Sequence, residues 1–503
     1  MTEVIIVGGG PVGLMLAHEL TVGGVRPLVL ERRDDIDPTI KAGYLNQPAY
    51  EALGRRGLLR PATGPSEETS PNPRTMPVGK DGRPIFVGHV AGMPIRPDLV
   101  DLEVLDQGPF ATGGGLIGQQ ELERLLGERL AELGVEVRRT VTITGVRQDG
   151  ESVRVLTADG VLEADWVIGC DGGRSIVRKS AGMGFPGLDG EMTGRQVVVR
   201  GTGLDRIEPG WHHTPTGVYR RMPGAEVILT AEFDGAPQDR DQPITVEEVE
   251  QSIRRVTGVP VTITQLLSAT RFTDNTRVAD PYRIGRVFVA GDAAHVHPPF
   301  GGQGLSLGML DASDLGWRLA AVARGRADES ILDGYQAERR PEAERILEWS
   351  RAQVGIMRTD ERSRAASRLV RRLMETPDGA TEAARVVSGQ VIGYTTDDGP
   401  VGSYAPNWPG TIGTLWQATA DGRAVLAHRP DVRLPDDLAA DLADPRGRYR
   451  VTVFETEFAP VPLTLIRPDG VVSWIGTQPE GLADALAAIG AVEPSVDAVA
   501  EPV

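Results

Sequence analysis

The chain is 503 residues long, 40% of them hydrophobic, and carries 70 acidic against 53 basic residues, a formal net charge of -17. That length holds about three domains with packed cores, and the charge repels phosphate backbones at long range, which excludes nucleic acid as a partner. A single cysteine, Cys170, excludes disulfides, a cysteine-built zinc site and a CxxC redox pair.

Met1-Thr2-Glu3 runs into "VIIVGGG" without a charged leader, and no apolar run reaches the ~18 residues of a membrane span. The expectation is a cytoplasmic protein that does not enter a membrane. The N-terminal stretch "EVIIVGGGPVGLMLAHELTVGGVRPLVLER" combines an apolar β-branched run, Gly8-x-Gly10-x-x-Gly13, a helix-period segment through Leu14, Ala17 and Leu20, and a second strand ending at Glu31. Each part has a job in a nucleotide-binding βαβ unit: Gly8 permits the tight turn, Gly10 lets a pyrophosphate reach the backbone, and Gly13 lets helix and strand approach. Helix N-terminal amides would meet the phosphates and Glu31 the ribose hydroxyls, with Val12 and Arg32 completing this part of the cofactor-binding set. The motif leaves NAD and FAD both open.

Pro61 to Pro97, rich in Gly and Pro, reads as a loop region. Beyond it, Gly113-x-Gly115-x-x-Gly118 repeats the glycine pattern before an amphipathic helix through Leu122, Leu126, Leu130 and Leu133, with Glu136 in a following strand. "DQGPFAT" precedes it where an apolar strand is required, so the expectation is a glycine-rich loop capping a surface helix. "CDGGRSIVR" then reads as a strand-to-helix turn in which Asp171 or Ser175 caps the helix.

Residues ~180 to ~275 change character. "TGVYRRMPGAEVILTAEFDG" predicts a hairpin turning at Pro223-Gly224, with alternation in Val227, Leu229, Ala231 and Phe233. The stretch "VFVAGDAAHVHPPFGGQG", Val287 to Gly304, follows a short strand with a Gly-Asp pair and a loop stripped of side chains. His295-x-His297 has no third-ligand motif nearby, so no metal site is expected. Residues 341–374 are helical by period and charge pairing.

Taken as a set, GxGxxG with Glu31, "CDGGRSIVR" and "GDAAHVHPPFGGQG" resemble the three fingerprints of FAD-dependent aromatic hydroxylases, the single-component flavoprotein monooxygenases, in their order and separation. The tail, best at "PLTLIRPDGVVSWIG", resembles the thioredoxin-like domain of the larger members, the phenol, polyketide and rifampicin hydroxylases. The resemblance implies an α/β fold: a Rossmann-like FAD-binding domain (residues 1–178 and 276–395), a mixed β-sheet substrate domain (179–275), and a thioredoxin-like domain without CxxC (396–503). It implies that Asp292 accepts a hydrogen bond from the ribityl chain, that Pro298, Gly301, Gly302 and Gly304 leave room for the isoalloxazine, and that helix amides near Gly304 and Leu305 favour negative charge on its N1/O2 edge.

By the same resemblance Gln119 matches a glutamine near the flavin, although it equally fits the first turn of an exposed helix. Lys41 keeps a cation where members carry arginine, and Asp171 joins the cofactor set. Asp311 matches a helix aspartate that closes the domain. Pro48 and Ser306 depart from the usual arginine and asparagine. In this fold the sheet of residues 179–275 roofs the substrate pocket, which His213, Tyr219, Arg221, Phe233 and Phe300 would line; no catalytic side chain is singled out, the flavin being the reactive centre. The implied activity takes electrons from NADPH or NADH and inserts one atom of O2 through a C4a-(hydro)peroxyflavin into a bulky aromatic or polyketide-like molecule. Aromatic hydroxylation in secondary metabolism is the first expectation. Baeyer-Villiger insertion on the same scaffold and a reductase without oxygen insertion are the alternatives, in a monomer or homodimer.

Overall fold

The computed structural model of the protein describes residues 2–39, 41–59, 74–75, 87–105, 114–150, 152–222, 226–237, 242–394, 399–444 and 448–493. Strand β1 (Thr2–Val7) is continuously apolar from Val4 to Val7 because both its faces are covered there, Val4, Ile5 and Ile6 being fully buried between parallel neighbours. Helix α1 (Pro11–Val22) begins on Pro11, where a missing N–H costs nothing, and leads to β2 (Pro27–Leu30), paired parallel with β1 from Val4 opposite Pro27 to Val7 opposite Leu30. Asn46 caps α2 (Gln47–Arg55), its side chain accepting from Ala49 N at 3.3 Å.

Helix α3 (Gln119–Glu132) buries Leu122, Leu126 and Leu130 against α1 and feeds β3 (Glu136–Arg138), which pairs parallel with β2. Among the described residues no apolar strand leads into the second glycine motif. Gly115–Leu116 only pairs with Arg74–Thr75 and bridges Leu45, Glu136 pairs with Arg138 at 2.6 Å, and 106–113 lie outside the described residues. Strand β4 (Gly160–Gly169) flanks β1 on its other side, and Ser175 caps α4 (Ile176–Ser180) by accepting from Arg178 N at 2.9 Å.

Next comes a five-stranded antiparallel sheet of β5 (Thr193–Thr202), β6 (Gly210–Thr214), β7 (Gly217–Arg221), β8 (Val227–Glu232) and β9 (Thr262–Phe272), in the order β6-β7-β8-β5-β9. Helix α5 (Val246–Thr257), capped by Thr245 and stopped at Gly258, packs Val249, Ile253 and Val256 on one face, against Val197, Val199, Tyr219 and Ile228. Behind them Glu232 accepts from Arg195 at 2.7 Å and Arg255 at 2.6 Å. The hairpin forms, its turn at 223–225 lying outside the described residues, but the expected in-out alternation does not. Residues 228–232 are buried on both faces, because α5 covers one and the Phe300 loop the other.

The chain then returns to the first sheet. Strand β10 (Val287–Val289) pairs parallel with β4, so that β10-β4-β1-β2-β3 run in one direction with β1 central. Because the chain leaves β1 toward opposite sides, a crevice opens at the carboxyl ends of β1, β2 and β4. Helices α6 (Gly304–Ala323), α7 (Asp333–Met357), α8 (Glu361–Met374) and α9 (Pro377–Ser388) follow. The helical reading of 341–374 breaks at Arg358, whose extended backbone ends α7, and at Asp360, which caps α8 by accepting from Ser363 N at 3.0 Å.

A last sheet orders β11 (Ala424–His428), β12 (Val451–Glu455), β13 (Leu463–Ile466) and β14 (Val472–Gly476) as β12-β11-β13-β14, with β11 and β12 parallel and the other pairs antiparallel. It is locked to the core through buried charge. Arg467 meets Asp469 at 2.6 Å and Glu338 of α7 at 2.7 Å, and Arg56 donates to Glu19 of α1 as well as to the carbonyls of Thr419 and Pro468.

Candidate functional site

Three turns meet at the crevice. Gly8 N donates to Leu30 O (2.8 Å), Cys170 N to Val7 O (2.7 Å) and Ala290 N to Gly169 O (3.0 Å), so each motif leaves its strand beside the next. The three glycines differ in what surrounds them. Gly8 adopts φ +113° with its would-be Cβ 2.3 Å from Cys170 O, and a Cβ at Gly13 would lie 2.0 Å from Gly8 O, whereas a Cβ at Gly10 would meet nothing within 4 Å. Packing therefore demands two of the glycines, and the third keeps backbone open to the crevice. Glu31 is aimed by two amides, Gly9 N at 2.7 Å and Arg33 N at 2.9 Å, which leave lone pairs on both carboxylate oxygens. Arg32 beside it is exposed. Val12 packs against Gly291 and Gly308, where an added Cβ would reach it at 3.0 and 2.6 Å, so the first turn rests on the third.

Asp171 does the capping that its motif allowed. Its Oδ2 accepts from Ile176 N at 2.7 Å and Val177 N at 3.3 Å, while buried Oδ1 has no protein partner; burial raises this carboxyl despite those bonds. Arg178 ties this turn to the next by donating to Gly173 O and Ala293 O.

The Gly-Asp turn is held from behind. Fully buried Asp311 accepts from Gly291 N (3.0 Å), His295 Nε2 (2.6 Å) and Arg339 Nε (3.0 Å). Burial alone would raise the Asp311 carboxyl, but His295 and Arg339 outweigh it and hold it low, so a fixed negative charge anchors the turn. Asp292 is then presented outward. Its side chain is solvent-exposed and has no hydrogen-bond donor among the described residues, yet surrounding protein raises its carboxyl, with His295 and Lys41 opposing. An open carboxylate inside a concave surface is what a ribityl hydroxyl requires. Lys41 pairs with Asp37 at 2.7 Å and is exposed on the same side.

Pro298 to Gly304 completes the cradle. Pro298 is buried, Gly301 and Gly302 take φ of +90° and +66°, and α6 starts at Gly304 with no side-chain cap, its first internal bond running from Leu307 N to Gln303 O. The amides of Gly304, Leu305 and Ser306 are therefore free of helical partners, a seat for negative charge. His297 is neutral, pushed down to about 4 by burial; its Nδ1 donates to Pro298 O (2.8 Å), and Nε2 faces Gly304 without a protein partner. Ser306 Oγ accepts from Asn46 N at 2.9 Å, which pins α2 to this loop. Gln119 sits in the first turn of α3. Its backbone N donates to Ala42 O (3.0 Å), but its side-chain amide is spent on Glu123 (2.8 Å), so of its two readings the helical one accounts for its contacts. Together these residues fit an FAD: an acid for the adenosine ribose, bare backbone for the pyrophosphate, an open carboxylate for the ribityl chain and helix amides for the ring. No group of three or more potential metal ligands occurs among the described residues.

Phe300 carries the loop into the front of the five-stranded sheet. It lies 6.0 Å from Phe272 and 6.3 Å from Trp211 between ring centroids, with Phe233 and Trp349 packed in the same cluster. His213 shares this face, its Nε2 at 2.7 Å from Ala91 O, and His89 lies 4.8 Å from Trp211. Of the predicted wall, His213, Phe233 and Phe300 come together here. Tyr219 and Arg221 do not, which corrects their placement. Strand parity turns them to the opposite face, where Tyr219 packs under α5 and stacks on His212, and Arg221 donates to Ile207 O. Their neighbour Arg220 faces front instead, 5.7 Å over the Trp211 ring, and burial lowers its pKa. Sequence reasoning missed Trp211, Arg220, His89 and Trp349. Only the alternation of Trp211 and His213 in "GWHHT" offered a signal. The segment 87–97 supplies Val90, Ala91, Met93 and Ile95 to this cluster; 61–73 and 76–86 lie outside the described residues.

Comparison with known proteins agrees with this geometry. A family profile for an FAD binding domain matches residues 1–350. The chain is 36% identical to a rifampicin monooxygenase of Streptomyces venezuelae over 96% of this chain and 97% of that one. It is 34% identical to a dialkyldecalin synthase of Streptomyces rugosporus, over 96% and 97%. The solved structure of the anhydrotetracycline hydroxylase OxyS of Streptomyces rimosus superposes with a TM-score of 0.82 at 31% identity, covering 97% of this chain and 98% of that one. No helix among the described residues is long and apolar enough to cross a membrane.

Proposed function

The chain belongs to the FAD-binding-domain family of flavoprotein monooxygenases, and from that premise we propose that it takes electrons from NADPH or NADH and hydroxylates a bulky aromatic, polyketide-like small molecule with one atom of O2. The observation that carries the proposal is the pairing of two surfaces on one loop: Pro298–Gly304 offers bare backbone and free helix amides on one side and Phe300 to an aromatic wall on the other. Bound FAD would supply hydride acceptance and oxygen activation. Everything else is the work of the chain. Glu31, Lys41 and Asp292 would grip the cofactor, and the amides of Gly304 to Ser306 would favour negative charge at the ring edge. Phe272, Phe300 and Trp211 would stack the substrate and exclude water, and neutral His297 Nε2 would be open to accept a hydrogen bond at the ring side of the loop.

The same reading extends to the chain's division into residues 1–178 with 276–395, 179–275 and 396–503. For the last, the β12-β11-β13-β14 sheet with one parallel and two antiparallel pairings supports a thioredoxin-like core, structural because no CxxC is present. The nicotinamide donor would bind transiently in a groove without a glycine motif. A cytoplasmic enzyme, monomeric or homodimeric, fits the lone cysteine.

One observation favours a second reading. A relative of equal reach is named a dialkyldecalin synthase, and ring formation without oxygen insertion is therefore the second reading. The deciding experiment is to record the visible spectrum of the purified protein and then add NADPH under air with polycyclic phenols and ketones, following product mass. Gain of one oxygen atom supports the hydroxylase, and the product's skeleton separates ring hydroxylation from ring insertion. A bound flavin that NADPH and substrate never reduce, with an unchanged-mass product, supports the cyclase. A protein that cannot be loaded with FAD overturns both.

A further inference from the structure

The N-terminal end of α2 is fixed to the flavin loop, and the side of the same helix bounds a separate cavity of about 370 Å³ under the last sheet. We propose that this cavity is a second small-molecule site, for a flat fused-ring aromatic carrying a hydrogen-bond donor, and that its occupancy is felt at the Gly-Asp turn. Its volume falls in the lower part of the range for small-molecule pockets, about 300–1000 Å³. Aromatic rings make the walls: Trp408 is buried inside, Tyr404 is half-buried, and Phe458, 41% exposed, stands at the rim.

The polar end is built rather than incidental. Gln47 and Glu51 each expose only 2% of their surface. Glu51 Oε1 accepts from Gln47 Nε2 at 2.9 Å, but Oε2 is 3.9 Å from the Arg55 guanidinium, too far for a hydrogen bond, and so keeps an acceptor for a ligand N–H or O–H. Burial pushes this carboxyl up to about 7 against the pull of Arg55 and Gln47, a strained state that a ligand donor would relieve. None of the aromatic residues gathered around Phe300 lines this cavity.

Two bonded paths connect it to the cofactor side. The Tyr404 hydroxyl is 2.8 Å from that of Tyr394, which accepts from Arg339 at 2.8 Å; Arg339 donates to Asp311, and Asp311 holds Gly291 N. Asn46, the cap of α2, bonds Ser306 and Gln303. A ligand that orders Tyr404 and the first turns of α2 therefore acts on both supports of the flavin loop. The coupling, though not the binding, rests on the reading that FAD sits at Asp292.

The test titrates 2-naphthol into the FAD-loaded protein by calorimetry while following tryptophan fluorescence and flavin absorbance. Two classes of site are expected in the native chain. Glu51→Gln should weaken one of them by about tenfold or more. Pro48→Arg, in the first turn where the native residue has no N–H to lose, should abolish the same class by placing a long cation beside Glu51. Tyr404→Phe should keep that binding within about twofold and lose the accompanying flavin absorbance change. A single class of site, or two classes untouched by both Glu51→Gln and Pro48→Arg, overturns the site. Binding that survives with no flavin response in the native chain overturns the coupling. A chain that takes up no FAD yet binds 2-naphthol through Glu51 sinks the hydroxylase reading and leaves the cavity site standing.

Discussion

His18 lies on the buried face of α1 with neither ring nitrogen partnered, and burial, aided by Arg56 and Arg129, pushes its pKa down to about 3 from an ordinary 6.5. The folded chain thus binds fewer protons than the unfolded one between those values. Its stability is complete above pH 6.5 and is lost as pH falls toward 3. His18→Leu should remove part of this acid sensitivity and, by deleting two unsatisfied nitrogens, stabilise the protein by about 1–3 kcal/mol at neutral pH in urea titration. Equal acid sensitivity in the variant would refute the assignment. Asp292 makes the opposite kind of claim, about a ligand. Asp292→Ala should weaken FAD about 10- to 100-fold, the loss of one charge-assisted hydrogen bond, as read by flavin retention and calorimetry. Because the protein surrounding this open carboxyl raises its pKa, FAD affinity should begin to fall, as pH is lowered, at a higher pH than an ordinary aspartate would give.

At the scale of elements, the βαβ turn separates folding from binding. Gly13→Ala drives a Cβ to within 2.0 Å of a backbone oxygen that cannot move, so it should lower the melting temperature of the flavin-free protein. Gly10→Ala meets nothing within 4 Å, so it should melt normally and still lose FAD affinity. Identical melting and affinity in the two variants would defeat the division. For the second glycine motif the informative position is Gly118, where nothing lies within 4 Å, rather than Gly115, whose Cβ would strike the Tyr50 ring at 2.2 Å. Gly118→Ala should leave the KM for NADPH unchanged within about twofold. These turns were legible because each is written in consecutive residues, where φ, close approach and charge leave a local signature. The aromatic wall was not. Trp211, His89 and Trp349, which join the expected Phe233 and Phe300, come from three remote segments, and the parity of β7 cannot be read when both its faces are buried, which is why Arg220 and Arg221 exchange roles.

At the scale of the whole molecule, the last sheet and the nucleotide core behave as one body because charges are buried between them. Arg467 faces Asp469, Glu338 and Asp314, and Trp317 Nε1 donates to Asp469 at 3.1 Å. Arg467→Met leaves buried Asp469 without its cation, while Arg318 still pairs with Asp314 and Glu338, and should cost about 3–5 kcal/mol. Calorimetry should show a single transition moved down in temperature. An unchanged transition would mean the network adds nothing to cohesion. Length, composition and the three fingerprints made the core legible, but this lock was invisible, since an arginine in "LIRPDG" carries no mark of the glutamate more than a hundred positions away.

The two-sided covering of β7 and β8 also decides how the protein can be changed. Residues 211, 213, 218, 220, 229 and 231 share the side turned to Phe300, while the alternate positions are committed to α5 and its ion pairs. A combinatorial library confined to the first set would redraw substrate scope while inheriting an intact scaffold, and the same restriction gives natural divergence a channel: new chemistry accepted in front, no toll on folding behind.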